Sequence, residues 1–285
     1  MELTNKYKYP ASVVAAAKEQ LYKPTYGLLR VTESIDSPLV KRLLIEYWDK
    51  IVIDVDEIVY SSMFGTAWHK FLAGFETGEI IEKRWSADYG GTVLTGQTDI
   101  YRPDVGAIED NKTQSAWAFV FGTASWGEQL NIYADLVVEN GYVVNELWIN
   151  SFLRDWSKYE AVRGKNKDYP EHKFHRVRVP LWSKDKRKQF IKERITLHVN
   201  HRDDYVCSTY ANVGKDNERW EKPTTFAVMK VGVKAARRVL DTMDEAKAWI
   251  DEKKPKGDIS IVKRQGRCVR CEDWCWARNV CTYRS

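Results

Sequence analysis

Gly96-Gln97-Thr98-Asp99-Ile100-Tyr101, then Pro103-Asp104-Val105-Gly106, then Ile108-Glu109-Asp110-Asn111-Lys112-Thr113, is the stretch that decides the fold. Alternate side chains along a strand share a face, so Asp110 and Lys112 project together if 107–113 is a strand. Glu109 then points to the opposite face. Pro103 to Gly106 reads as a tight turn, and a hairpin folded there brings Asp99 near Asp110. Two carboxylates can hold a divalent cation, and one ammonium stands beside them. Such a set suits hydrolysis of a phosphodiester. The metal neutralises phosphate charge and lowers the pKa of a bound water, while the lysine orients or deprotonates that water. Asp-x-Lys alone says little, because in a chain with 30% charged residues it also arises on solvated strands.

Two other segments give it weight. Met63 to Leu72 carries apolar residues at 64, 67, 68, 71 and 72, which is helical spacing. His69 sits at the edge of that stripe, and a neutral imidazole is a good metal ligand. A lone histidine there would equally suit half-buried packing. Gln129 and Tyr133 lie four apart and so on one face of a helix. Their polar tips can reach a phosphate or a neighbouring strand, while Leu130, Ile132, Ala134, Leu136 and Val137 supply a core.

The order of these pieces is helix His, strand Asp, strand Asp-x-Lys, helix Gln-x-x-x-Tyr. In that order the chain resembles the RecB-like branch of the PD-(D/E)XK nuclease superfamily. It is most similar to the phage-encoded and CRISPR-associated exonucleases of that branch with a C-terminal cysteine cluster. The resemblance spans 60–155 and resumes at 265–281. It implies a restriction-endonuclease-like α/β core, with a mixed central sheet flanked by helices. His69, Asp99 and Asp110 match the family's metal ligands, the Asn111 carbonyl would complete the shell, and Lys112 matches the catalytic lysine. Gln129 and Tyr133 match the motif tied to DNA contact, and Glu82 matches an upstream acidic position. The implied activity is a metal-dependent deoxyribonuclease, an exonuclease, in DNA replication, recombination or processing, with phage or CRISPR-linked roles. Its partners would be single- or double-stranded DNA and replication or recombination proteins. Mg²⁺ favours oxygen ligands, and an imidazole in the shell makes Mn²⁺ a plausible better activator. The alternative is a catalytically silent nucleic-acid-binding subunit with a structural metal module.

Cysteine use is uneven. Cys268, Cys271, Cys275 and Cys281 crowd the C-terminal end, and Cys207 stands alone. Without a secretion signal a disulfide framework is not expected. Four clustered thiols read as a metal site, either Zn²⁺ or an iron–sulfur cluster. In the cysteine-bearing relatives three C-terminal cysteines and one far upstream hold a [4Fe–4S] cluster. Here no cysteine precedes His69, a departure that keeps Zn²⁺ open beside [4Fe–4S]. Arg264, Arg267, Arg270 and Arg278 nearby could touch phosphates or simply be solvated.

The chain of 285 residues is long enough for a full core. Its net charge of +5 is compatible with nucleic acid without being diagnostic. No run approaches a membrane span and the N-terminus lacks the apolar core of a signal peptide, so a cytoplasmic protein is expected. Twelve tryptophans serve a core or stack on bases. Four regions are expected: helical 1–60, a nuclease core with an arm at 61–224, a small α+β appendage at 225–264, and the cysteine tail at 265–285. Within them, helices are predicted over 11–22, from Ser37-Pro38, over 123–140 and over 183–206. A further helix should be capped by Thr242 with Glu245. Strands are predicted at 80–88, 92–101, 107–113, 145–153, 226–231, 237–240 and 259–263. Arg154 is a candidate phosphate contact. Residues 157–179 read as an exposed loop or hairpin arm whose Lys165, Lys167 and Lys173 either track DNA or are solvated.

Overall fold

The computed structural model describes residues 1–75, 77–121, 124–163, 168–200, 204–208 and 218–283. The chain opens with short elements: β1 (Glu2–Thr4), α1 (Ala11–Glu19), β2 (Leu28–Arg30), α2 (Val31–Ser34), α3 (Pro38–Glu46), β3 (Val52–Asp54) and α4 (Val55–Ile58). Ser37 precedes α3 with Pro38 at its first position, where the missing N–H is harmless. Asp54 caps α4 in a reciprocal box with Glu57, and its carboxylate also takes the Thr4 hydroxyl at 2.7 Å. One aspartate thus starts a helix and ties β3 to its parallel partner β1.

α5 (Phe64–Leu72) precedes three strands: β4 (Ile80–Asp88), β5 (Val93–Arg102) and β6 (Ala107–Gln114). Then follow α6 (Ala116–Phe121), α7 (Ala124–Glu139), β7 (Glu146–Leu153), α8 (Lys158–Arg163), β8 (Phe174–Val179) and α9 (Lys184–Val199). The main sheet runs β2-β5-β6-β7-β8, with β4 on the other edge of β5. It is mixed: β2·β5 and β6·β7 are parallel, while β4·β5, β5·β6 and β7·β8 are antiparallel. The expected α/β class with helices flanking a mixed sheet is what the structure shows. α7 lies against β4 to β8 and α5 against β6. Leu130, Tyr133, Ala134 and Val137, at helical spacing, bury against Trp85, Leu94, Tyr101, Ile108, Leu147 and Ile149. Each such large side chain contributes roughly 1.5–3 kcal/mol on leaving water.

The chain divides into two compact units, Met1–Tyr205 and Val206–Ser285. The second holds β9 (Glu221–Lys222), β10 (Thr225–Lys230), β11 (Ala236–Leu240), α10 (Met243–Lys253), β12 (Ile259–Arg264) and β13 (Arg267–Cys268). Strands β11-β10-β12 form an antiparallel sheet and β13 pairs β9. α10 packs on β10 and β11 through the buried Ala246, and Thr242 with Glu245 forms the expected capping box.

Two expectations need correction. Residues 157–179 are not simply a loop or arm, since β8 closes the edge of the main sheet. Its charged side chains alternate with half-buried ones, as an edge strand requires. The helix expected over 183–206 stops at Val199. Lys165 and Lys167 lie outside the described residues. Among the described residues no helix is long and apolar enough to cross a membrane.

Candidate active site

The hairpin closes at Gly106, whose φ of 67° suits glycine. A Cβ there would lie 2.8 Å from the Asn145 amide and 2.9 Å from the Val143 carbonyl. From this turn β5 and β6 pair over only Arg102↔Ala107, Tyr101↔Ile108 and Ile100↔Glu109. Asp99 opposite Asp110 would come next, and there the strands part. β5 continues with β4 and β6 with β7. In the opening, the Asn111 N–H donates to Asp99 Oδ2 at 2.6 Å in place of a ladder bond.

Three donors converge at the split. His69 Nδ1, from α5, stands 3.3 Å from a Glu82 oxygen and 3.4 Å from an Asp99 oxygen. One ligand atom from each residue lies within 4.8 Å of the other two. Glu82 reaches the site because its backbone is left-handed, with φ 53° in mid-strand. A non-glycine residue held there stores strain of order 1–3 kcal/mol, of the kind found at functional sites. Its other oxygen takes a short hydrogen bond from the Gln97 amide, itself held by Arg84. The donor set fits a divalent cation: two carboxylates and an imidazole around one point. His69 Nδ1 is buried and makes no well-formed hydrogen bond among the described residues. Glu82, with Asp99 and Asp110, holds the imidazole pKa above its usual value against the effect of burial. Burial and then Asp110 push Asp99 up to about 7. A bound cation would replace the proton and relieve this crowding.

Lys112 and Asp110 form the second half. Lys112 Nζ lies 2.8 Å from Asp110 Oδ2 and donates to Gln129 Oε1 at 3.4 Å. Burial works to lower the Lys112 pKa, but Asp110 and Asp99 outweigh it, so the group is held as an ammonium. Gln129 Nε2 donates to Tyr133 Oη at 3.0 Å and approaches Asp110 Oδ1 at 3.5 Å. The i, i+4 pair on α7 thus supports the lysine–aspartate pair from behind. Tyr133 comes this close to the sheet because position 96 is glycine, and a Cβ there would stand 2.4 Å from the tyrosine ring. Asp110 faces Lys112 and is not one of the three converging donors.

No family model and no curated protein matches this chain. Several solved structures share part of its architecture. SSO0001 is 15% identical, over 65% of this chain and 84% of that one, with a TM-score of 0.45. An alkaline exonuclease from Laribacter hongkongensis is 10% identical, over 67% and 93%, with a TM-score of 0.35. A phage-related exonuclease from Haemophilus somnus 129PT is 17% identical, over 48% and 65%, with a TM-score of 0.31. At such identities and scores these likenesses carry no argument about activity.

Glu109, which strand alternation sets on the face of β6 opposite Asp110, is buried. It accepts from Arg176 at 2.7 Å and from Asn150 at 2.9 Å, and Asn150 also donates to Asn111 Oδ1 at 3.2 Å. No local sequence signal announces this network, because Arg176 lies on β8 and Asn150 on β7. Arg154 lies with its guanidinium 6.0 Å over the Phe64 ring, and Lys173 lies 5.7 Å over the Trp156 ring.

In the second unit Cys207 does not stand alone. The Arg219 N–H donates to the Ser208 carbonyl, and the Arg270 N–H donates to that of Arg219. Cys268 pairs with Glu221 across β13 and β9. These bonds carry Cys207 toward the turn bearing Cys268, Cys271 and Cys275. Burial pushes the Cys271 thiol up to about 11, and Cys268, Cys275 and Cys207 add to the rise. Among the described residues no three sulfurs lie within 4.8 Å of one another. Arg267 pairs with Glu272 and Asp273, Arg270 lies over Trp220, and Arg278 donates to the Cys275 carbonyl.

Proposed function

We propose that this protein is a divalent-metal-dependent nuclease that hydrolyses phosphodiester bonds in DNA. The observation that carries it is the convergence of His69, Glu82 and Asp99 beside the Asp110–Lys112 pair, where two strands part. Glu82, Asp99 and His69 would hold the cation, with Asp110 and the Asn111 carbonyl completing its surroundings. When bound, the cation supplies charge neutralisation at the phosphate and a more acidic water. Lys112, steadied by Asp110 and Gln129, would place its ammonium against the scissile phosphate or the attacking water. Tyr133 keeps Gln129 in line. Mn²⁺ should serve at least as well as Mg²⁺, given an imidazole among the ligands. Exonucleolytic action, and service beside replication or recombination proteins, follow from the family resemblance alone.

The cysteines form a separate part of this reading. Cys268, Cys271 and Cys275 would hold a metal centre, [4Fe–4S] or Zn²⁺, that fastens the C-terminal segment. The fourth thiolate is assigned to Cys207 in place of Cys281, because the backbone bonds above draw Cys207 in.

The test is incubation of anaerobically purified protein with end-labelled single- and double-stranded DNA, in Mg²⁺, Mn²⁺ or EDTA, beside Lys112→Ala. Metal-dependent degradation that falls by roughly 10²–10³ in the variant is expected, the range for losing one positioned charge-stabilising donor. DNA binding without cleavage in any condition would point instead to a silent binding subunit.

A further inference from the structure

We propose that a row of aromatic rings beside the ligand set is a stacking platform for unpaired bases, which makes single-stranded DNA the substrate; this rests on the nuclease reading. The row is continuous. Ring centroids are 5.2 Å apart for Phe75 and Phe71, 6.0 Å for Phe71 and Trp68, 5.1 Å for Trp68 and Phe152, and 5.1 Å for Phe152 and Phe174. It runs from Phe75, just past α5, through Phe71 and Trp68 on that helix, the latter one residue from His69, and crosses to β7 and β8.

Much of it faces outward. Phe71 is 59% exposed, Phe75 54% and Phe174 45%. Single exposed apolar residues are ordinary. Contiguous ones against a candidate catalytic site mark a surface that receives something. Covering these rings would have stabilised the fold.

The position of the row names the occupant. Phe75, Phe152 and Phe174 line a cavity of about 420 Å³, whose wall also contains His69, Glu82 and Asp99. That volume is in the range of roughly 300–1,000 Å³ used for small ligands. Its polar end is the Glu109–Asn150–Arg176 network, whose members already satisfy one another. On the other side of the same three donors lies a second cavity of about 640 Å³, lined by Thr66, Lys70 and Gln97. The ligand set therefore stands at the junction of an aromatic cavity and one whose lining carries no phenylalanine, tyrosine or tryptophan ring. A strand with a phosphate at the donors would put a neighbouring base among the rings and continue past Thr66, Lys70 and Gln97. Every base has a π-face, so such stacking tolerates any sequence. Bases inside a duplex have both faces occupied and cannot use it. A single strand can.

The experiment measures binding of fluorescent oligothymidylate and of a blunt two-stranded duplex in EDTA, and cleavage of both in Mn²⁺. It uses the full chain as wild type, Phe75→Ala, Phe174→Ala and, as an exposed aromatic outside the row, Tyr7→Ala. Thermal melts confirm folding, which exposed positions should preserve. Each ring variant should bind oligothymidylate roughly 5- to 150-fold more weakly, the span of base–aromatic stacking per base. Duplex binding should change much less, and Tyr7→Ala should match wild type. Three outcomes would overturn the proposal: ring variants that bind the single strand like wild type, a wild type that prefers duplex, or rings whose removal only breaks self-association in sedimentation. If wild type binds the single strand through the rings yet cleaves neither substrate, the nuclease reading fails while the platform stands.

Discussion

Gly96→Ala introduces one methyl group at the point where α7 meets β5. The new Cβ would lie 2.4 Å and 2.9 Å from two carbons of the Tyr133 ring and 2.6 Å from a Val31 methyl. All three contacts are shorter than real Cβ atoms tolerate, and both neighbours are buried, with Tyr133 5% and Val31 1% exposed. Neither can swing into solvent. Overpacking of this kind costs about 1–3 kcal/mol. Against it stands the gain from removing a glycine from the unfolded chain, about 0.4–1 kcal/mol. Overpacking wins, and a net loss of roughly 1–2 kcal/mol is expected. The displaced Tyr133 also loosens its 3.0 Å bond to Gln129, and so the support of Lys112. Cleavage should therefore fall as well as stability. Urea unfolding and initial cleavage rates measure the two. Gly127→Ala, on α7, is the control: the nearest atom to its Cβ is a Val179 methyl at 3.9 Å. It should stabilise by up to about 1 kcal/mol, as alanine does over glycine in a helix. If Gly96→Ala is as stable as wild type and equally active, the close approach of Tyr133 is not what steadies the site.

Other perturbations separate the remaining parts. Burial, then Arg194 and Lys41, hold His198 down at about 4, below its usual 6.5. The unfolded chain thus takes up this proton first, so the contribution is intact above about pH 6.5 and falls by roughly 3 kcal/mol as pH drops to about 4. His198→Gln should flatten that part of a stability–pH curve, and an unchanged curve would refute the assignment. Cys207→Ser should lose most of the bound iron or zinc by elemental analysis while Cys281→Ser keeps it; the reverse would restore the set read from spacing alone. Asp110→Ala should leave Lys112 without its 2.8 Å partner. The far-ultraviolet circular dichroism spectrum should be kept and cleavage lost, and cleavage at the wild-type rate would refute the role given to the pair.

Much of the first unit was legible because its signals are local. The turn Pro103 to Gly106 fixed where the hairpin folds, and the two-residue period then put Asp110 and Lys112 on one face and Glu109 on the other. The helical spacing of Leu130, Ala134 and Val137 foretold α7, and with it the placement of Gln129 and Tyr133. Features that depend on distant partners were not legible. β1 and β3 are three residues each and pair across some fifty positions. β8 hid beneath His175, Arg176 and Arg178, polar and charged residues that an edge strand shares with a loop. Glu82 was legible only through the family resemblance, because its backbone at that point is left-handed, a feature the local sequence does not announce. Cys207 approaches the other cysteines through bonds from Ser208 and Arg219, with nothing in its own neighbourhood to announce them.

The most direct test of the site is Mn²⁺ binding to wild type and to Glu82→Gln and Asp99→Asn, followed by electron paramagnetic resonance with cleavage rates taken on the same samples. The expected result is one tight Mn²⁺ site in wild type that weakens strongly in both variants, with cleavage falling in step. Variants that bind Mn²⁺ as wild type does, or that lose the ion and still cleave, would contradict the assignment of His69, Glu82 and Asp99 as the metal-holding set.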